Sequence, residues 1–269
     1  MLSEAEDFRE ESRAIAALLK DQPEDVFQQK TLFKEWTVED IIAHLHLWNF
    51  AALKSLEGRE AFQAFAGPLV GALLQGNSHS QVQKSWLDEA QSGVRGRALF
   101  GAWVTLFEKT SDEFKKTDPD ERLAWAGPDM SARACIIARQ MESWAHAQAI
   151  YDLLGVQRAT SKRLKNIAQL GVMTYSWAFK NRGMAPPTPK PYVQLDGPNG
   201  EIWAWNDPQA DNKVSGDALE FCQVVTQTRN IADTNIDMIG DTAKSWMAIA
   251  QCFAGPPEEP PAAGLRRSA

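Results

Sequence analysis

Residues 131–155 read SARACIIARQMESWAHAQAIYDLLG. Ser131 is suited to cap a helix, because its hydroxyl can accept from the unpaired amides of the first turn, and Gly155 to end one in the left-handed conformation that other residues resist. Nothing between them, neither proline nor glycine, breaks the helix. Cys135, Glu142, His146, Ile150 and Leu153 fall on one stripe at helical spacing. Glu142 and His146 are four residues apart, so a carboxylate and an imidazole leave the same face about one turn apart and can reach a single ion. Arg139 lies on that face three residues before Glu142. Because the stripe is otherwise apolar, Glu142 is expected to point inward, where an unpaired carboxylate is costly and a metal or a partner charge is required.

A third ligand should come from a facing helix. Residues 36–49, WTVEDIIAHLHLWN, supply one: Thr37 can cap it, and Glu39 and Asp40 place negative charge in its first turn, where the helix dipole favours it. It should stop near Gly58. His44 shares a face with Ile41 and Trp48, and His46 shares one with Ile42, Asn49 and Leu53, so periodicity leaves both open as the ligand. Two imidazoles and one carboxylate leave a divalent ion with open positions, the arrangement of a catalytic rather than a closed structural site. His46 and His79 are otherwise expected to be an ordinary packed and an ordinary solvent-facing histidine. The ten tryptophans read as core residues.

Two more long helices complete a four-helix bundle: about Ser3 to Lys20, opened by a Ser3/Glu6 capping box, and about Arg95 to Lys116. Residues 59–92, with two short helical patterns about the loop-like Gln75–Ser80, read as an insertion. Beyond the bundle, 161–182 reads as a helix, and the proline run from Ala185 to Pro191 marks a linker. Tyr192–Leu195 and Glu201–Trp205 alternate like strands around the turn Gly197–Gly200, a hairpin. Helices are expected at about Gly216 to Arg229 and Ile236 to Phe253. The fold class is thus mainly α with a small α+β part. The expected organisation is a bundle over 1–157, a linker helix and α+β domain over 158–255, and a loose, proline-rich tail over 256–269.

A formal charge of -7 argues against a nucleic-acid partner, which needs a concentrated basic face. The longest apolar stretch, Ala61 to Leu74, is interrupted and too short to span a bilayer, and the acidic N-terminus lacks the pattern of a signal peptide. The expectation is therefore a cytoplasmic protein acting on small molecules. Three cysteines, Cys135, Cys222 and Cys252, suit neither a disulfide framework nor a thiolate zinc site and read as reduced, mostly buried thiols.

The segment WTVEDIIAHLHLWN resembles the start of the mycothiol-dependent maleylpyruvate isomerase N-terminal domain, a DinB-like metal-binding four-helix bundle with a W-T-x-x-D-x-x-x-H helix. The segment 127–155 is similar to that family's second signature, an Arg-x-x-Glu-x-W-x-H helix ending in Leu-Gly. The resemblance implies a metal triad of His44, Glu142 and His146, which favours His44 over His46. Two imidazoles and a carboxylate suit zinc first, with nickel, iron or manganese as alternatives, and the resemblance implies a low-molecular-weight thiol as co-reactant. In such an isomerase, thiolate addition to a conjugated double bond gives a freely rotating single bond, and elimination returns the trans isomer. Arg139 is then a candidate for orienting Glu142 or a substrate carboxylate.

Residues 195–240 and 246–257 resemble the domain that follows the bundle in one branch of these proteins, a domain itself likened to a wyosine base formation domain. Having no histidine between 192 and 253, this part is expected to shape the site rather than hold the metal. One departure stands out: family members often read His-Gly-x-Asp where this chain has His146-Ala147-Gln148-Ala149, so an acid near the ligand is missing. A thiol transferase or metal-activated hydrolase and a non-catalytic metal- or ligand-binding module are the other readings of the same triad.

Overall fold

A computed structural model describes residues 2–266, and the chain divides into two compact units, Met1–Ile150 and Tyr151–Ala269. In the first, α1 (Glu4–Leu19), α2 (Val38–Glu57), α5 (Gly96–Lys116) and α6 (Ala132–Leu154, whose end belongs to the second unit) form the four-helix bundle. Helices α3 (Arg59–Leu74) and α4 (His79–Ala90) stand beside α2, and a short hairpin, β1 (Arg122–Leu123) with β2 (Met130–Ser131), leads into α6. The core is filled by side chains spaced as the sequence predicts: Phe8, Ile15, Ile41, Leu45, Leu99, Trp103, Phe107 and Ile136 are excluded from water. Each contributes roughly 1.5–3 kcal/mol of apolar burial. Among the described residues, no helix is long and apolar enough to cross a membrane.

The start of α2 organises its neighbours. Thr37 and Asp40 form a capping box: the Asp40 amide donates to the Thr37 hydroxyl (3.0 Å), and the Thr37 amide donates to the Asp40 carboxylate (3.1 Å). The other oxygen of Asp40 accepts from the Ser80 hydroxyl (2.7 Å) and pairs with Lys84 (3.2 Å), while the Asp40 carbonyl accepts from Gln83 (2.8 Å). One carboxylate thus starts α2 and fixes α4 against it. Glu39, next to it, accepts the Gly96 amide (2.6 Å) and so fixes the first residue of α5. Gly96 has φ +52°, a conformation that L side chains rarely adopt, so glycine suits this position.

In the second unit a four-stranded sheet has the order β4-β3-β5-β6. The hairpin of β3 (Tyr192–Asp196) and β4 (Ile202–Trp205) is as expected, with Leu195 opposite Trp203. Two strands replace what the sequence suggests are helix starts: β5 (Lys213–Asp217) runs parallel to β3, and β6 (Asp237–Ile239) antiparallel to β5. The helices begin later, α9 (Ala218–Val225) behind an Asp217 cap and α10 (Asp241–Ile249) after Gly240. Strands of three to five residues ending at a cap carry too little alternation to be told from the helix that follows. The helix expected over 161–182 divides at Thr174 into α7 (Leu164–Met173) and α8 (Tyr175–Lys180). There the Thr174 hydroxyl turns back to the carbonyls of Leu170 (2.8 Å) and Gly171 (3.0 Å), a contact that competes with regular helix.

The proline-rich tail, loose by composition, is tied down over its described length. Gln251 bonds the carbonyl of Pro256 (3.1 Å) and the amide of Glu258 (3.0 Å), Gln227 and Arg182 donate to the Glu258 carbonyl, and Asn230 donates to that of Pro261 (2.8 Å). Gln227, Gln251 and their neighbour Arg229 are buried, and Arg229 grips Asp152 through two hydrogen bonds (2.8 and 2.6 Å). Composition describes how a tail behaves without partners; here buried side chains supply them.

Burial raises the Asp40 carboxyl's pKa, but hydrogen bonds from Ser80 and Thr37 and the contact with Lys84 outweigh it and hold the group below 3.8. A depressed carboxylate contributes stability that is present above its unfolded pKa and lost as pH falls through the folded one. Asp40→Asn should therefore cost about 1–2 kcal/mol at pH 7, and the penalty should shrink below pH 3.8. Urea denaturation of both proteins at pH 7 and pH 3 checks this; a penalty independent of pH would show that charge is irrelevant there.

Candidate metal centre

α2 and α6 bring His44, Glu142 and His146 together. One Glu142 oxygen lies 3.5 Å from His44 Nε2 and 3.2 Å from His146 Nε2, and the three donor atoms all fall within 4.8 Å of one another. An ion with bonds of about 2.0–2.1 Å to tetrahedral ligands sets neighbouring donors roughly 3.3 Å apart. The spacing of these side chains therefore fits a divalent ion. The chemistry fits as well. Burial, with the nearby His146 adding to it, pushes the His44 imidazole down to about 3, so it is neutral and keeps a lone pair. Burial opposes ionisation of Glu142, but hydrogen bonds to His146 and His44 hold it well below the usual carboxylate range.

Aromatic rings close two sides of this cluster. Trp36 stacks on His146 with planes 4° apart and centroids 5.6 Å apart, and Phe33 meets the same imidazole edge-on at 5.0 Å. Trp36 also lies 5.3 Å from His44. The W-T-x-x-D-x-x-x-H pattern thus has a physical reading: a ring that packs on the imidazoles, a two-residue cap that starts the helix, and, one turn further on, an imidazole of the donor cluster.

Behind the cluster, Arg139 is buried and donates through Nε to Asn49 Oδ1 of α2 (3.2 Å). Its Nη2 and the Asn49 Nδ2 have no hydrogen-bond partner. Burial lowers the Arg139 pKa and the Glu142 charge opposes that, so the guanidinium balances the carboxylate from one turn away. Asn49 was not distinguishable by spacing, since a polar residue on a partly buried face has no signature until its partner is known.

His46 points elsewhere, buried against Trp86 at 5.6 Å, and burial pushes it down to about 4. His79 opens α4 rather than lying in a loop; it is exposed, and its ring is 5.9 Å from that of His44. All three cysteines are buried; burial pushes Cys135 up to about 12 and Cys222 well above its ordinary value.

A helical bundle with a largely buried His–Glu–His cluster between two of its helices, His44 inside and Glu142 and His146 half-buried, is the class of protein that these features define. The family described as the mycothiol maleylpyruvate isomerase N-terminal domain matches residues 8–151. Two uncharacterised proteins from strains of Mycobacterium tuberculosis are each 34% identical over 254 residues, 93% of this chain and 95% of theirs. The fold is similar to the crystal structure of the mycothiol-dependent maleylpyruvate isomerase, with TM-score 0.51 at 14% identity over 82% of this chain and 87% of that one. A mutant of that enzyme matches equally, with TM-score 0.51 at 15% identity. The chain belongs to the mycothiol maleylpyruvate isomerase N-terminal domain family.

Removing a buried counter-charge strands its partner, at a cost of about 3 kcal/mol. Arg139→Met should destabilise the metal-free protein by that order, and adding Glu142→Gln should restore part of the loss, a coupling of roughly 1 kcal/mol or more. A double-mutant cycle by urea denaturation measures it; strict additivity would mean that the guanidinium does not serve Glu142.

Proposed function

We propose that this protein is a thiol-dependent isomerase of small electrophiles, with His44, Glu142 and His146 holding a divalent ion. The observation that carries the reading is the spacing of the three donors, reached by side chains from two helices and kept by Trp36, Arg139 and Asn49. The mycothiol-dependent maleylpyruvate isomerase, whose fold this chain shares, is by its name a thiol-dependent enzyme. Two imidazoles and a carboxylate favour zinc, with nickel, iron or manganese as alternatives.

The bound ion would lower the pKa of a coordinated thiol and so supply thiolate near neutral pH. That thiol has to come from outside the chain, since the protein's own three are buried and Cys135 and Cys222 are held protonated. Mycothiol is the first candidate, with bacillithiol and glutathione after it. Trp36 and Phe33 keep water and bulk ligands from the His146 side. Arg139 acts as a positioning residue: too buried to meet a substrate carboxylate, it orients and balances Glu142.

Purified protein should carry one equivalent of metal by elemental analysis, and His44→Ala should reduce this to background while the far-ultraviolet helical signal persists. Loss of helicity with metal content unchanged per folded molecule would contradict the assignment. Isomerisation of a cis-enone acid, followed by absorbance, should require both metal and added thiol. Equal turnover without any thiol would refute the isomerase reading and favour a metal-activated hydratase or hydrolase.

A further inference from the structure

A narrow cleft, with free space for about one water molecule as it stands, lies beside the His–Glu–His cluster, between α2 and the pair α3 and α4, with His44 on its floor. Its walls are Leu47 and Trp48 from α2, Leu69 and Leu73 from α3, and Val82 and Gln83 from α4, with His79 at the side of α4; Gln83 is the one amide side chain among them and already donates to the Asp40 carbonyl (2.8 Å). His44 belongs both to this cleft and to the donor cluster. A molecule that fills the cleft therefore meets whatever the three donors hold.

The two long walls differ in how they are kept. α4 is fixed by polar bonds from Ser80, Gln83 and Lys84 to Asp40. α3 turns Phe62, Ala66 and Leu69 inward, sets Phe65 against Phe50 and Trp86, and pairs Arg59 at its exposed start with Asp129, while Leu74 is 84% exposed and no atom lies within 4 Å of where Gly67 or Gly71 would carry a Cβ. Apolar contacts slide at lower cost than charged hydrogen bonds break, so α3 is the wall that yields to an occupant.

Such walls have little to offer a short dicarboxylate such as maleylpyruvate, whose charges need cations or amide donors. They suit a hydrocarbon chain or ring, which gains about 25 cal/mol for each Å² it buries. Water-soluble thiols are themselves polar, so the occupant is the electrophile and not the thiol. We propose that this cleft is the subsite for the carbon body of the substrate, and that it selects an electrophile with an apolar chain or aromatic ring over a short dicarboxylate. The proposal rests on the metal-centre reading above.

The test uses the full protein loaded with cobalt(II), whose visible spectrum reports ligands on the ion without turnover. Acetohydroxamate, benzohydroxamate and oxalyl monohydroxamate share a metal-binding head and differ in body. The unaltered protein should bind the benzoyl compound at least tenfold more tightly than the acetyl one, and the oxalyl compound least. Leu73→Asp and Leu73→Trp, at a half-buried position, should keep their cobalt and their affinity for acetohydroxamate while losing the tenfold preference. An unchanged preference in both variants, or tightest binding of the oxalyl compound, overturns the cleft assignment while leaving the metal centre standing. Failure of the unaltered protein to bind cobalt overturns the metal centre and the cleft proposal with it.

Discussion

A carboxylate withdrawn from water between two imidazoles has to be balanced, and much of the first unit is arranged around that requirement. Glu142 stays ionised because His44 and His146 both reach it and because Arg139 lies a turn away in the same core. The guanidinium in turn needs an acceptor and finds it in Asn49 across the gap between α2 and α6. Each group in this chain of partners would be expensive alone. Together they set the distance between the two helices and the attitude of every donor.

The helices can meet in this way because the beginning of α2 is overdetermined. Thr37 and Asp40 fix where its first turn starts, Glu39 ties it to α5, and Asp40 ties it to α4. A slip of one residue in α2 would rotate His44 by about 100° and carry it off the cluster. The caps are thus part of the site, although none of their atoms approaches the three donors as a ligand would.

The bundle was legible because its helices announce themselves through apolar stripes and, at α2 and α6, through caps and a terminal glycine that fall within a residue of the helix ends, whereas the capping box expected at Ser3 does not form and its hydroxyl donates to Glu4 instead. Glu142 and His146 were legible from spacing on one helix. His44 was not, because the choice between it and His46 depends on how α2 is rotated, and resemblance rather than periodicity favoured it. Asn49, Trp36 and His79 owe their places to contacts between segments far apart in sequence, which no local pattern encodes. The same holds in the second unit, where β5 and β6 pair over long range and the tail is held by Gln227, Asn230 and Gln251.

The unequal anchoring of α3 and α4 also bears on how such a protein can diversify. A change at Asp40, one turn before His44, is felt at once by a helix cap and by a neighbouring helix, so replacements there cost stability in two places together. A change on the inner face of α3 meets only side chains that can repack. Lineages descending from a common bundle are then free to drift along α3 and constrained along α2 and α4, and divergence in ligand preference would accumulate on one wall while the opposite wall stays nearly frozen.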